Sequence, residues 1–272
     1  MNKDNLLKNA ARLAGVLMIG LTLGACASAP AEPEARAEFE AQNDPLEPMN
    51  RYFFEVNRGL DQLLLRPTAE IYRGAVPDMV QQMVHNFLLN LNEPIVFTNS
   101  LLQGDTDNAG KSFGRFAANT LIGVGGLFDV AGIDRQEEDF GQTLGVWGLG
   151  EGPYLVLPVI GPRPPRDLAG MITDSYIDPW NYLARRNDID FPEQTVRFIA
   201  EGVDARSRNI ESIDEIERSS IDFYATVRSL YRQRRAALIS NGDVTPDMEL
   251  EPVSFEFEDD QSMESKTAAV VQ

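Results

Sequence analysis

Phe53-Phe54-Glu55-Val56-Asn57-Arg58-Gly59-Leu60-Asp61-Gln62-Leu63-Leu64 is the stretch on which the fold class turns. Phe53, Val56, Leu60, Leu63 and Leu64 recur at i, i+3, i+7, i+10 and i+11, one face of a helix rather than the alternation of a strand. Arg66-Pro67 is expected to end this helix, because a proline disfavours helical backbone in the residue before it. Pro77 suits the first turn of a second helix, in which Val80, Met83, Val84, Phe87, Leu88 and Leu91 form a broad apolar stripe. Pro94 is expected to open a third, short helix closed by Gly104. Asp105 or Thr106 is placed to cap a fourth, reaching Ile122. Farther on, residues 193–239 read as one or two long helices, with Ile210, Ile213, Ile216, Ile221, Tyr224, Val227 and Tyr231 on the buried side. Alternating patterns are scarce, so the core is expected to be mainly α.

Before this core lies a segment set aside from fold reasoning. Lys3, Lys8 and Arg12 precede an uncharged apolar run from Leu13 to Leu23, which ends in Leu23-Gly24-Ala25-Cys26. Eleven residues fall well short of the roughly 20 that span a bilayer. Small residues ahead of a cysteine fit a bacterial lipoprotein signal peptide, with Cys26 as the lipid-modified first mature residue. The Ala27-Ser28 pair after it carries no aspartate, which leans towards the outer membrane rather than retention at the inner one. Cys26 is the only cysteine, so once it is acylated no thiol remains for a disulfide, a metal or a nucleophile.

Residues 26–272 hold 21 basic and 41 acidic side chains, a net charge of −20. Such a chain is a poor ligand for nucleic acid and for anionic lipid by charge alone, so membrane contact must be apolar. Composition divides the chain into a signal peptide (1–25), a lipidated Ala/Pro/Glu tether (26–43), a core (44–240) and a tail (241–272). The tail holds nine acids and one lysine and is expected to be disordered. It is either a solubilising appendage or a segment that docks on a basic partner.

The middle of the core is unusual. Fourteen of the 21 glycines lie between Gly104 and Gly170. Phe116 to Phe128 carries no charge, and Phe140 to Pro162 carries only Glu151. The longest charge-free run after Cys26, Met79 to Asn92, has 14 residues, again too short to cross a bilayer. The pattern leaves two readings open: short amphipathic helices lying in a membrane interface and joined by glycine turns, or a glycine-rich soluble core.

Several blocks resemble the MlaA/VacJ family of outer-membrane lipoproteins. They are Asn43-Asp44-Pro45-Leu46-Glu47 with Asn50-Arg51, Asn92-Glu93-Pro94, Leu101-Leu102-Gln103-Gly104-Asp105, Arg115-Phe116 with Asn119-Thr120, and Gly125-Gly126-Leu127-Phe128-Asp129-Val130-Ala131. The longest runs from Phe140-Gly141-Gln142-Thr143-Leu144-Gly145 through Gly152-Pro153-Tyr154, Leu157-Pro158 and Gly161-Pro162 to Arg166-Asp167. Asp222-Phe223-Tyr224 with Arg228, Tyr231 and Arg234 is similar to the family's last helix, with Phe223 where proline is expected. The resemblance implies a ring-shaped bundle of short amphipathic helices lying in the inner leaflet of the outer membrane, with glycine-rich turns. It also implies removal of phospholipid misplaced in the outer leaflet, hand-over to the periplasmic carrier MlaC, and a trimeric porin as neighbour. No cofactor is implied beyond the covalent lipid on Cys26.

A lipid slot needs a polar lining for the head group and apolar edges for the tails, and the residues from Ala117 to Val130 alternate accordingly. Arg115, Asn119, Gly123, Gly125, Gly126, Tyr154 and Arg166 are therefore the candidates for the lipid path. For Arg115 and Arg166 two roles stay open: contact with a phosphate, or a salt bridge, for instance with Asp129 or Asp167. A hydrolase is the rival class. Against it, His85 is the only histidine and there is no Gly-x-Ser-x-Gly elbow and no metal-ligand cluster. The adjacent acids Glu137-Glu138 and Asp259-Asp260 are expected to be solvated surface. A purely structural tether would have no need of the apolar, glycine-rich middle.

Overall fold

The computed structural model describes residues 42–186 and 192–241. Cys26 with its signal peptide, nearly all of the tether, and the acidic tail from residue 242 lie outside the described residues. Within them the chain is mainly helical. Helix α1 (Glu47–Leu60) passes through a π-helical turn (Asp61–Leu65) into α2 (Arg66–Ala75). Then come α3 (Asp78–Gln103) and α4 (Thr106–Leu121), and after an extended stretch α5 (Phe140–Val146). A minimal hairpin pairs β1 (Val156–Leu157) antiparallel with β2 (Gly161–Pro162), Val156 opposite Pro162. The chain ends in α6 (Pro165–Ile177), α7 (Pro179–Arg186), α8 (Pro192–Arg208), α9 (Ile210–Ser219) and α10 (Phe223–Ile239).

Two prolines do not do what the sequence suggests. Pro67 has no N–H to offer the carbonyl of Leu63 and its ring crowds that turn. The chain answers with the π turn, in which the Arg66 N–H reaches back five residues to the Asp61 carbonyl, and the helix continues. Pro94 sits inside the 26-residue α3 instead of opening a new helix. An internal proline costs about 3 kcal/mol, but α3 packs lengthwise against α4 and buries Glu93, Ile95, Val96, Asn99 and Ser100 around that point. Other signals hold: Gly104 closes α3, and the Asp105 carboxylate caps α4 by accepting from the Asn108 N–H at 2.9 Å. The C-terminal region forms three helices among the described residues rather than one or two. Ile221, in the link between α9 and α10, is fully exposed instead of buried.

Burial runs against the habit of water-soluble domains. Among the described residues nine hydrophobic side chains are buried, against 21 polar or charged ones. Large apolar side chains face outward instead: Leu63, Leu64, Ile71, Phe113, Leu121, Ile122, Val124, Val159, Val196 and Phe198 are all more than half exposed. The stripes that periodicity identifies on α1 and α3 thus lie in good part outside. Buried polar groups are costly unless hydrogen-bonded, and exposed apolar surface on this scale marks an interaction site.

The small apolar core is aromatic. Tyr154, Val156 and Tyr224 are sealed, with Phe53, Phe54 and Tyr231 packed against them. Tyr224 meets Phe54 edge-on at 5.4 Å and Tyr154 at 6.2 Å between ring centres, spacings favoured by ring quadrupoles. Asp44, buried beside them, accepts from Asn50 at 2.7 Å, from Arg228 at 2.8 Å and from the Tyr224 hydroxyl. Asn50 also donates to the Tyr154 carbonyl at 2.9 Å and accepts from the Val156 N–H at 2.9 Å. The start of the core is thereby tied to the hairpin and to the last helix.

Candidate functional site

A cavity of about 610 Å³ lies between α3, the extended stretch before α5, α8 and α10. Its size falls within the roughly 300–1,000 Å³ of small-molecule sites, but its wall is charged. His85, Leu88, Leu89 and Asn92 come from α3, Arg135, Glu137, Glu138 and Asp139 from the stretch before α5, and Gln142 from α5. Arg163 enters from just after β2, Arg197, Glu201, Asp204 and Arg208 from α8, and Tyr231, Arg234, Arg235 and Leu238 from α10.

Most of these charges are locked together. Arg235 donates to both oxygens of Asp139, at 2.5 and 3.0 Å, and to Asp167 at 3.0 Å. Burial pushes the Asp139 carboxyl up, yet the Arg235 guanidinium outweighs it and holds this acid below the usual carboxylate range. Tyr231 donates to Asp167 at 2.6 Å. Asp204 faces His85 Nδ1 at 2.6 Å and Arg208 at 3.2 Å. The lone histidine is thus a paired, half-buried group. Glu138 is buried, contrary to the solvated surface expected for it, and accepts from Gln103 at 2.7 Å and Gln136 at 3.3 Å. Burial pushes its carboxyl up. Behind the wall, Asp174 accepts from the Phe140 N–H at 3.0 Å and from Asn99 at 2.9 Å; burial pushes its carboxyl up to about 6. Among the described residues no group of His, Cys, Asp and Glu is arranged to hold a metal.

None of the seven candidates from the sequence lines this cavity. Arg115 is buried, and its guanidinium is engaged by Glu93 at 3.1 Å, by Asp129 at 3.4 Å and by the Ile133 carbonyl. Arg166 donates to Asp167 at 3.1 Å. Of the two roles left open for these arginines, the geometry is that of the salt bridge. Asn119 donates to Asp129 at 2.9 Å and accepts from the Val130 and Ala131 N–H groups at 2.9 and 3.0 Å. That holds the chain after the glycine turn against α4. In the turn Gly126 has φ +95°, and a Cβ there would collide with the Asn90 side chain. At Gly123 a Cβ would meet the Phe128 carbonyl oxygen, while at Gly125 it would meet open space. Tyr154 belongs to the aromatic core.

Sequence reasoning missed five of the six arginines of the wall: Arg135, Arg163, Arg197, Arg208 and Arg235. The available signal was Pro162-Arg163-Pro164, a cation held between two prolines at the end of an apolar stretch, together with the density of arginines from Arg228 to Arg235.

Fold and site define a class: a mainly helical protein, polar within and apolar without, around a charged cavity. Among the described residues no helix is long and apolar enough to cross a membrane. The chain belongs to the MlaA lipoprotein family, whose model matches residues 42–238. It is 35% identical over 238 residues to the intermembrane phospholipid transport system lipoprotein MlaA of Escherichia coli, covering 85% of this chain and 90% of that one. It is 32% identical over 219 residues to the protein of the same name in Haemophilus influenzae, covering 78% and 85%. With an uncharacterised protein of Rickettsia bellii it shares 38% identity over 200 residues, 72% of this chain and 76% of that one. In three dimensions it matches a solved chain from work on the structural basis for maintenance of bacterial outer membrane lipid asymmetry. The TM-score is 0.65 at 37% identity, over 72% of this chain and 98% of that one.

Proposed function

We propose that this chain is an outer-membrane lipoprotein that removes misplaced phospholipid from the outer leaflet and passes it to a periplasmic lipid carrier. One observation carries the reading: the distribution of polarity is inverted, with exposed apolar side chains outside and a charged cavity inside. Such a body is stable where its surroundings are acyl chains and its interior is wet. Its helices close a ring about the cavity and lie in the inner leaflet, held by the apolar shell and by the lipid on Cys26. The phospholipid head group travels through the cavity while its tails stay against apolar surface. The names of the relatives in Escherichia coli and Haemophilus influenzae support phospholipid as cargo. MlaC and a trimeric porin are the partners we expect from the resemblance. Arg115, Asn119, Gly123, Gly125, Gly126, Tyr154 and Arg166 then act as the frame of the lipid path, and the wall arginines as its lining.

We read the protein as a conduit rather than an enzyme. The carboxylates of the cavity wall all accept from arginine, glutamine or His85, and the relatives in Escherichia coli and Haemophilus influenzae are named as transport lipoproteins. A structural tether would need no such cavity. The test is transfer: full-length lipidated protein in vesicles with labelled phospholipid, plus the periplasmic carrier and no nucleotide. Label should move to the carrier. An absence of transfer with correctly inserted protein would refute the reading.

A further inference from the structure

The cavity wall carries six arginines, and five of them are tied to carboxylates. Arg135 pairs with Glu93 and Glu137, Arg197 with Asp178 and Glu201, Arg208 with Asp204, Arg234 with Glu137, and Arg235 with Asp139 and Asp167. Arg163 is the exception among the described lining residues. Its backbone N–H donates to the Leu155 carbonyl at 2.7 Å, yet its guanidinium has no ion pair, and its Nε is shielded from solvent with no acceptor. A charged donor without a partner is costly to bury. The backbone that carries it is stiff: Pro162 and Pro164 flank it, each with a fixed φ, and β2 and α6 anchor both sides.

The charge balance points the same way. The wall holds six arginines against five carboxylates, in a chain whose net charge is −18. A guanidinium fork presents paired N–H donors that match two oxygens of one phosphate.

We propose that Arg163 is the contact for the phosphodiester of the lipid head group inside the cavity. This rests on the reading of the cavity as the route of the phospholipid. The other five arginines shape the wall, and Arg163 supplies the cationic site through its Nη groups, which no described carboxylate holds.

The test uses full-length lipidated protein in nanodiscs, as wild type, Arg163→Met, Arg163→Lys and Arg163→Glu. Three probes are compared: phosphatidylglycerol, diacylglycerol with the same acyl chains and no phosphate, and inorganic phosphate. Arg163→Met keeps the apolar stem, breaks no hydrogen bond and removes an unpaired shielded donor, so its melting temperature should be at or above that of wild type. Phosphatidylglycerol capture should fall about tenfold or more in Arg163→Met, as expected for one charge-assisted contact. It should fall further in Arg163→Glu and less in Arg163→Lys, while diacylglycerol capture stays level in all four. Should Arg163→Met fail to fold, a severalfold loss in Arg163→Lys, which keeps the charge but not the fork, still supports the assignment. Equal phosphatidylglycerol capture by wild type and Arg163→Lys would in that case overturn it. A wild type that carries phosphatidylglycerol beside an Arg163→Met that carries it equally well overturns the assignment alone. Parallel losses for phosphatidylglycerol and diacylglycerol would show a general defect and also overturn it. Arg163-dependent binding of inorganic phosphate with unchanged lipid capture would identify a site for the free anion instead. A wild type that captures no lipid at all brings down the conduit reading, and this assignment with it.

Discussion

Arg115 on α4 and Glu93 on α3, 22 residues apart in the chain, meet at 3.1 Å with both side chains almost wholly shielded from solvent. Glu93 is the hub of that contact. It also accepts from Arg135 at 3.1 Å and from the Ser112 hydroxyl at 2.7 Å. Removing its charge takes the closer carboxylate from two buried guanidinium groups, leaving Arg115 to Asp129 and Arg135 to Glu137 at 3.4 Å, whereas removing Arg115 leaves Glu93 with two donors. Glu93→Gln should therefore cost about 3–5 kcal/mol, and Arg115→Met about 1–3 kcal/mol. Thermal unfolding in detergent checks the order. Lipid transfer per folded molecule should survive Arg115→Met, since this arginine supports the frame. A transfer loss far beyond the loss of folded protein would return Arg115 to the lipid path.

The crossing of α5 and α6 depends on Gly170. A Cβ there would stand 2.3 Å from the Gly141 nitrogen, a backbone atom that cannot swing aside. Gly170→Ala should abolish or severely destabilise the fold. At Gly110 on α4 a Cβ would meet nothing within 4 Å, so Gly110→Ala should stabilise by about 0.5–1 kcal/mol through helix propensity. Paired melting curves decide both, and equal effects at the two sites would contradict the close approach.

Asp174 supplies a pH dependence. Its carboxyl is raised by burial from 3.8 to about 6. As pH rises from about 4 to 6 the unfolded chain releases this proton while the folded chain keeps it. Its contribution to stability is thus greatest below pH 4, declines up to about pH 6 and is flat above. For a shift of this size the decline is about 3 kcal/mol. Asp139 works in the opposite sense, because its carboxyl is lowered: its contribution is present above the usual carboxylate range and lost as pH falls through the folded value. The stability of wild type minus that of Asp174→Asn should slope downward between pH 4 and 6. A level difference would mean that Asp174 titrates like a free carboxyl.

The outward apolar residues make a claim about solvent. Leu121 is 83% and Ile122 73% exposed. If water surrounded them, Leu121→Lys with Ile122→Lys would change stability by only about 0.5 kcal/mol either way. Against acyl chains each lysine costs up to about 3 kcal/mol. The double variant should keep its helical circular dichroism but float poorly with vesicles. Trp147 and Trp180, the chain's two tryptophans and both exposed, should be quenched by brominated lipid in the wild type.

Cys26 gives the last prediction. Cys26→Ser should yield protein without an N-terminal acyl group, read directly by mass spectrometry of the N-terminal peptide. Because one acyl chain binds a membrane only marginally, the apolar shell should still hold part of this variant on vesicles. Complete release as a detergent-free soluble monomer would contradict membrane seating by the shell.

The helical class was legible from the order of residues alone, through the 3.6-residue spacing on α1 and α3. So were the Asp105 cap and the Gly104 stop, because these depend on groups only a few residues apart. The family blocks could be read too: Glu93, Arg115, Asn119 and Asp129 turn out to be one polar junction, in which Glu93, Arg115 and Asn119 are buried. Periodicity says that a helix has an apolar face, but it cannot say what that face meets. That Leu121 and Ile122 point outward, that Ile221 is bare and that Glu138 is sealed emerged with the packing of the helices. Contact with α4 likewise let α3 run through Pro94, and a π turn carried α1 past Pro67, against local preference. The division of labour among arginines was equally hidden. Arg115 and Arg166 meet carboxylates while Arg163 meets none among the described residues, because ion pairs such as Arg235–Asp139 close over 96 residues and exist only once the helices are assembled around the cavity.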